Sequence, residues 1–317
     1  MSEITANEAR PLVSIIVPSY NQGRFLRETL DSILSQDYRP LEVLVMDGAS
    51  KDETVEILRE YSTRHSELRW WSERDSGVAD AVNKGLALAR GVYAGIQSSD
   101  DVYQPGAVRD AVEILRSRPE LGIVCADMNI VDEAGRFVIL APARMPFTMA
   151  RFLSRNTMIH QSSAFFRLEL ARAVGGWDPA YFCADTEMWL RMAFRAPVLK
   201  VDRVWSNWRG HQVQRNKDAL RMWESWGLMM AQSKDLKRAP LQLRLAARAG
   251  RRMVALSYNP GRSWLFVTVQ AWLAVLTYPP CFLGMIPKAR LLPGLGRLRN
   301  RVRSLAAAPG SKRDLVK

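Results

Sequence analysis

Two apolar runs, VSIIV at Val13–Val17 and LEVLVM at Leu41–Met46, flank a stretch with helical periodicity, and this arrangement limits the fold more than any other feature. A strand that reads as a nearly continuous β-branched run is buried on both faces, as in parallel sheets covered by helices. Between the runs, Phe25, Leu26, Leu30, Ile33 and Leu34 fall on one face of a helix expected over 24–36. The alternation then repeats. A helix is expected over 52–64, with Ser50 and Glu53 at capping-box spacing, followed by a short strand at 68–71. Next comes a helix with Val78, Val82, Leu86 and Ala89 on its apolar face, a strand at 92–97, a helix over 105–117 and a strand at 121–126. Strands alternating with helices of this length predict βαβ units, hence an α/β fold with a mostly parallel sheet flanked by helices.

In such sheets, ligands bind outside the carboxyl ends of the strands. Tyr20, Asp47, Asp75 and the adjacent Asp100 and Asp101 all fall on those ends. A strand delivering two carboxylates suits a hard cation, Mg²⁺ or Mn²⁺, which takes one or two carboxylates together with water and phosphate oxygens. An Asp-Asp turn is the plain alternative for that fragment alone.

The alternation weakens after Asp127. Val131–Ala141 reads as a hairpin-like excursion around Glu133-Ala134-Gly135, and His160-Gln161-Ser162-Ser163 precede another apolar strand. Gly175–Pro179 is a turn, Asp185 opens the helix DTEMWLRMAFR, 204–215 is aromatic and polar, and 216–237 reads as one long helix rich in Met and Trp.

The formal charge of +13 is unevenly placed: 234–317 carry 17 Lys and Arg against 2 acids, a net of +15, which leaves −2 for 1–233. The front is a near-neutral globular unit and the back a basic region whose partner should be anionic. Cys125, Cys183 and Cys281 are odd in number and far apart, which argues for a reducing compartment and against a zinc site. The first residues, MSEITANEARP, have no apolar core of a signal peptide, so a cytoplasmic location is expected. Trp264–Ile286 is 23 residues without formal charge, long enough for a membrane helix but interrupted at Pro279-Pro280. A membrane-surface or re-entrant hairpin is favoured over a buried helix pair or a span. The basic stretch Arg290–Arg303 would then meet anionic headgroups. Its charge is interleaved with leucine and forms no nucleic-acid motif.

Taken in order, VSIIVPSYNQGRFLRETLDSILSQ, EVLVMDGASKDET, ERDSGVADAVNKGLALARG and SSDD closely resemble glycosyltransferase family 2 with its GT-A, Rossmann-like fold, over roughly 11–215. The expected organisation is an N-terminal tail at 1–10, a catalytic domain at 11–215, and a helical, basic, apolar region at 216–317 associated with the membrane. The resemblance implies inverting transfer of a sugar from a nucleotide diphosphate sugar, with Mn²⁺ or Mg²⁺, to a saccharide or lipid-linked saccharide acceptor. Bacterial cell-surface polysaccharide or glycolipid synthesis at the inner face of the plasma membrane is the expected setting.

Carried over by position, the resemblance puts Pro18, Tyr20, Asn21 and Asp47 at the nucleoside. It puts Asp75, Gly77, Asp80, Asn83 and Lys84 along the ribose and diphosphate, and Asp101 on the metal with Asp100 beside it. Lys84 reads equally well as a solvated helix residue, and Ser50 and Asp52 read better as helix caps than as ligand contacts. Asp47-Gly48 departs from the two consecutive acids of many relatives. His160, Arg209 and His211 resemble segments closing over the diphosphate and acceptor, with Arg209 as a phosphate clamp. Asp185 falls where the family places its general base, with Glu187 a distant second. Two other readings compete: a sugar-1-phosphate nucleotidyltransferase, which would want a basic Gly-rich loop after the first strand, and a non-catalytic nucleotide-sugar-binding protein.

Overall fold

The computed structural model describes residues 10–141, 145–211, 218–258 and 263–281. The two apolar runs are strands buried along their whole length, β1 (Val13–Ser19) and β2 (Leu41–Asp47). With β3 (Leu68–Ser72) and β4 (Tyr93–Ile96) they form a parallel set in the order β3-β2-β1-β4. The connections are α1 (Gly23–Leu34), α2 (Thr54–Arg64) and α3 (Val78–Leu88). β5 (Val102–Tyr103), β6 (Ile123–Val131), β7 (Phe137–Ala141), β8 (Ala164–Arg167) and β9 (Val198–Arg209) follow. They extend the sheet as β4-β8-β6-β9-β5, with β7 paired to β6 off that path. β1, β2, β3, β4, β6 and β9 run one way; β5, β7 and β8 run the other.

Side chains along β1 alternate between the two faces, as strand geometry demands. Val13, Ile15 and Val17 enter one core with Leu30, Ile57 and Val112. That layer is built from α1, α2 and α4 (Ala107–Ser117). Ile16 enters the opposite core with Leu44, Phe166, Trp189, Trp226 and Ala247. This second layer joins α3 to α5 (Met149–Leu153), α6 (Leu168–Ala173) and α7 (Ala184–Ala193). It also takes in α8 (Ala219–Gln232), α9 (Lys234–Arg238) and α10 (Leu241–Tyr258). Trp226 and Met229 of α8, Leu236 of α9 and Val254 of α10 therefore share one core with the sheet. α11 (Trp264–Thr277) packs on α10.

Four local expectations change, the first being the single helix expected over 216–237, which breaks at Ser233 between α8 and α9. The Ser50–Glu53 capping box does not form: the Ser50 hydroxyl donates to Asp47 and accepts from Asn21 N, at 2.8 Å. Asp52 acts instead, accepting from Thr54 N at 3.1 Å, Thr54 Oγ1 at 2.6 Å and Gly23 N at 2.9 Å, so one carboxylate ties the starts of α1 and α2 together. Of the aromatic and polar stretch 204–215, the part up to Arg209 is the second half of the long strand β9, and 212–215 lie outside the described residues. The apolar run from Trp264 yields a helix of 14 residues that stops before Pro279, about 21 Å long at 1.5 Å per residue. A hydrocarbon core is about 30 Å thick, and no helix among the described residues is long and apolar enough to cross a membrane. Residues 282–286, the stretch 290–303 and the tail 1–9 lie outside the described residues.

The parallel strands are tied together at their starts by a buried carboxylate. Glu42 Oε1 accepts from Ser14 Oγ and from Arg90 N, each at 2.6 Å, while Oε2 accepts from Arg69 at 2.8 Å and Arg90 Nε at 3.2 Å. Burial alone would raise its pKa, but the hydrogen bonds from Ser14, Arg90 and Arg69 outweigh it and hold the carboxyl below its ordinary 4.5. A depressed carboxyl pKa stabilises the fold above the unfolded-state value, and that contribution fades as pH falls through the folded-state value. Glu42→Gln should lower unfolding free energy at pH 7 by about 2–3 kcal/mol, the scale of hydrogen bonds to a charged group. In urea titrations, the gap between variant and parent should narrow as pH drops below 4.5.

Candidate active site

The carboxyl ends of β1, β2, β4 and β6 open into one cleft of about 1160 Å³, whose walls reach from Tyr20 and Asp75 past Asp100 and Asp101 to Asp185. At the β1 end, Pro18 lines the cleft and the Tyr20 ring stands 59% exposed at its rim. Gly48 lies beneath both Tyr20 and Asp75: a Cβ there would come within 2.8 Å of Asp75 Oδ2 and 3.2 Å of the Tyr20 ring. That crowding gives a physical reason for the missing second acid. Asp75 Oδ1 accepts from Gly77 N at 2.9 Å, and Gly77, at φ +119°, opens α3 with free space above it. A side chain at that φ would be strained.

The floor of the cleft is the Asp100–Asp101 step after β4. Asp101 is buried and accepts from Arg209 N at 2.9 Å, while Thr29 Oγ1 donates to its carbonyl at 2.8 Å. Burial first, and then the charge of Asp100, raise the Asp101 carboxyl well above its ordinary value. Asp100 Oδ2 lies 2.8 Å from His211 Nε2, and its carbonyl accepts from Arg209 Nε at 3.0 Å. His211 also stacks at a tilt on Phe25, with centroids 5.2 Å apart, and lines the cleft together with His160.

Asp185 lies in the first turn of α7, half-buried, and faces the same cleft as Asp101. Trp177, Phe182, Met222, Trp226 and Val254 line the same cleft. Glu187, two residues on in the same first turn, is buried in a pair with Arg191 Nε at 2.7 and 2.9 Å. Arg191 in turn bonds to the carbonyls of Val174 and Gly176, so Glu187 stabilises the turn before α7.

Several residues singled out in the sequence do not line the cleft. The Asp47 carboxylate is buried against Ser50 N at 3.0 Å, the Ser50 hydroxyl and Ser72 Oγ at 2.6 Å, joining β2 to β3. Asn21, at φ +50°, accepts from Lys51 N at 2.8 Å and fastens the β1 loop to the β2 loop. Asp80 accepts from Ser76 N, and Lys84 pairs with Glu73 at 2.7 Å and Asp80 at 3.6 Å on the helix surface. The Ser76 bond first, with Lys84 adding to it, lowers the Asp80 pKa, and the bond to Glu73 raises that of Lys84. Asn83 holds Trp177 through both backbone groups, at 2.7 and 2.8 Å, and so sets one cleft wall indirectly. Arg209 sits behind the Asp pair, with its guanidinium on Glu28 and the Glu133 carbonyl and over the Phe25 ring.

Four lining groups carry no motif that sequence reading could use. Arg74 is an exposed cation of the β3–α3 loop. Arg155 is buried, at φ +65°, over the Trp226 ring at 4.7 Å. Trp226 and Val254 arrive from α8 and α10. The one available signal was the Trp-rich α8, whose period marks an apolar face without saying what it faces.

The model for Glycosyl transferase family 2 matches residues 14–175, about half of the chain. Chondroitin synthase of Escherichia coli is 29% identical over 201 residues, which cover 62% of this chain and 29% of that protein, so the chain spans under a third of this relative's length. An uncharacterized glycosyltransferase of Rickettsia typhi is 25% identical over 227 residues, covering 69% of this chain and 70% of the relative. Among solved structures, Staphylococcus aureus TarS 1–349 in complex with UDP-GlcNAc superposes with a TM-score of 0.65 at 18% identity, covering 83% of this chain and 79% of the other. The mannosyltransferase PcManGT of Pyrobaculum calidifontis, in complex with GDP-Man and Mn²⁺, gives 0.60 at 22% identity, covering 90% and 86%. These likenesses show the GT-A fold.

The inward set of Arg209 gives a direct test. Hydrogen bonds made by a charged group contribute about 1.5–3 kcal/mol, and the buried guanidinium bonds to two backbone carbonyls and to the half-exposed Glu28, so Arg209→Gln should lower the urea midpoint clearly. A guanidinium whose main role was to clamp ligand phosphate would leave the midpoint unchanged and weaken nucleotide binding alone.

Proposed function

The chain belongs to glycosyltransferase family 2, and we propose that it moves a sugar from a nucleotide diphosphate sugar to an acceptor hydroxyl with inversion at the anomeric carbon. The observation carrying this reading is that Asp101 and Asp185, 84 positions apart in sequence, line one cleft with Tyr20, Asp75 and the start of α3 between its walls. The exposed Tyr20 ring offers a face for the base, and Asp75 offers acceptor oxygens for nucleoside hydroxyls. Asn21, Asp47, Asp80, Asn83 and Lys84 serve by holding these loops in place, while Pro18 lines the cleft itself. The opening of α3 at Gly77 and the cations Lys51 and Arg74 favour the diphosphate.

A hard divalent cation fits the donor set. Asp100 and Asp101 both line the cleft, which suits a metal that takes one or two carboxylates and completes its shell with diphosphate and water. Asp101 would hold Mn²⁺ or Mg²⁺, with Asp100 beside it, and burial disfavours a bare charge on Asp101. When bound, the cation offsets the charge that develops on the departing diphosphate. Asp185 accepts the acceptor hydroxyl's proton as its oxygen bonds to the anomeric carbon and the bond from that carbon to the diphosphate oxygen breaks. Trp177, Phe182, Trp226 and Met222 exclude water from this end, which limits hydrolysis of the donor. His160 and His211 face the diphosphate and acceptor region, His211 through Asp100. The acceptor is read as a saccharide or lipid-linked saccharide of bacterial surface polysaccharide or glycolipid synthesis, met at the inner face of the plasma membrane.

Purified protein with Mn²⁺ and UDP-, GDP-, dTDP- and CDP-sugars should release nucleoside diphosphate from one of them. Formation of a nucleoside triphosphate that requires pyrophosphate would indicate nucleotidyl transfer instead, and silence across the panel a binding protein. Asp185→Asn and Asp101→Ala should each reduce turnover by at least about 100-fold, the scale of one catalytic group. Gly48→Ala displaces Asp75 and should weaken nucleotide-sugar binding about tenfold in calorimetry, the loss of one good hydrogen bond, with little change in melting temperature.

A further inference from the structure

The outer face of α11 has no protein over it among the described residues. Trp264 is 77% exposed, Leu265 58%, Val269 43%, Trp272 64% and Leu276 76%, and the helix carries no charge between Trp264 and Thr277. The spacing of Leu265, Val269, Trp272 and Leu276 puts them on one side of the helix. The inner side is firmly seated. Ala271 and Ala274 are buried, Ala274 against Ala249 and Met253 of α10. Phe266 meets Trp223 edge-on at 6.4 Å, and Gln270 accepts from Arg252 at 3.1 Å. Past the helix, Pro280 O accepts from Asn156 Nδ2 at 2.7 Å, so the chain is fastened back to the turn after α5. The exposed face therefore belongs to a fixed helix and not to a frayed end.

We propose that this face docks the protein on an anionic lipid bilayer. Two features select that occupant. Tryptophans at two of the exposed positions suit the headgroup boundary, where one side of the ring meets acyl chains and the indole N–H meets water. The charge also has the right sign: α10, which α11 packs on, holds Arg244, Arg248, Arg251 and Arg252 without one acidic residue, within a region of 17 basic and 2 acidic residues. A helix of 14 residues with one apolar face open lies in the interface plane and does not span.

Docking there also orients the cleft. α10 is pressed against α5 so closely that a Cβ on Gly250 would fall 1.8 Å from the Leu153 carbonyl oxygen. Val254 of the same helix lines the cleft with Trp226 and Asp185. One rigid helix thus carries the bilayer-facing element and part of the acceptor-side wall. The membrane consequently holds the Asp185 end of the cleft at a fixed distance from lipid-borne acceptors. Docking itself does not depend on the catalytic reading, because it is measured without turnover.

The test is flotation of the full chain with phosphatidylcholine vesicles, with or without phosphatidylglycerol, beside the double variant Trp272→Gln, Leu276→Gln. Both positions are exposed, so circular dichroism should be unchanged. The parent should float with the mixed vesicles and stay behind with neutral ones, and the variant should lose partition by at least about tenfold. Equal flotation of parent and variant, no flotation of the parent, or equal flotation on neutral vesicles would each overturn the proposal. A vesicle-free dimer that the variant dissociates would do so too, by assigning the face to a second copy.

Discussion

Everything at the cleft floor depends on how Arg209 holds the Asp100–Asp101 step. Its backbone N–H binds the Asp101 carboxylate and its Nε binds the Asp100 carbonyl across 108 and 109 positions of sequence, while its guanidinium reaches Glu28 of α1. β9 delivers Arg209 by pairing with β6 along Asp127–Val131, and β6 is in turn locked to β4 through β8. The far half of the sheet therefore presses a buried guanidinium onto the Asp100 carbonyl and a backbone donor onto the Asp101 carboxylate. Even with that support, burial first and then the neighbouring Asp100 charge raise the Asp101 carboxyl well above its ordinary value.

The same logic explains how much was legible. Parallel strands buried on both faces must be continuous apolar runs, so β1 and β2 read directly, and with them the rim on which Tyr20, Asp75 and the Asp pair fall. β9 did not read as a strand because it mixes Lys200, Asp202, Arg203 and Asn207 with tryptophans and packs on a mixed region of the sheet. A residue's type was legible where its direction was not. Arg209 is the cation that the family resemblance put on phosphate, yet its guanidinium turns inward to Glu28 and the Glu133 carbonyl. Asn83, Asp80 and Lys84 belong to the right helix, but helical geometry points them to Trp177 and to the surface. Asp47 fell silent for a related reason, since two serines far apart in sequence consume its lone pairs.

The C-terminal third is more than an attachment in physical terms. α8 and α10 fill one core with the sheet and, through Trp226 and Val254, line the same cleft as Asp185. Sequence periodicity could mark these helices as apolar on one face but could not say that the face met the catalytic body. That arrangement couples two properties which look separate in the sequence, a wall of the cleft and a basic, apolar outer surface.

The account's central claim is that Asp101 and a diphosphate share one cation in this cleft. Mn²⁺ electron–nuclear double resonance with bound nucleoside diphosphate reads that directly. The account predicts ³¹P coupling to tightly bound Mn²⁺ in the parent protein and its loss, with Mn²⁺ released, in Asp101→Ala. Unaltered Mn²⁺ binding and ³¹P coupling in that variant would contradict it.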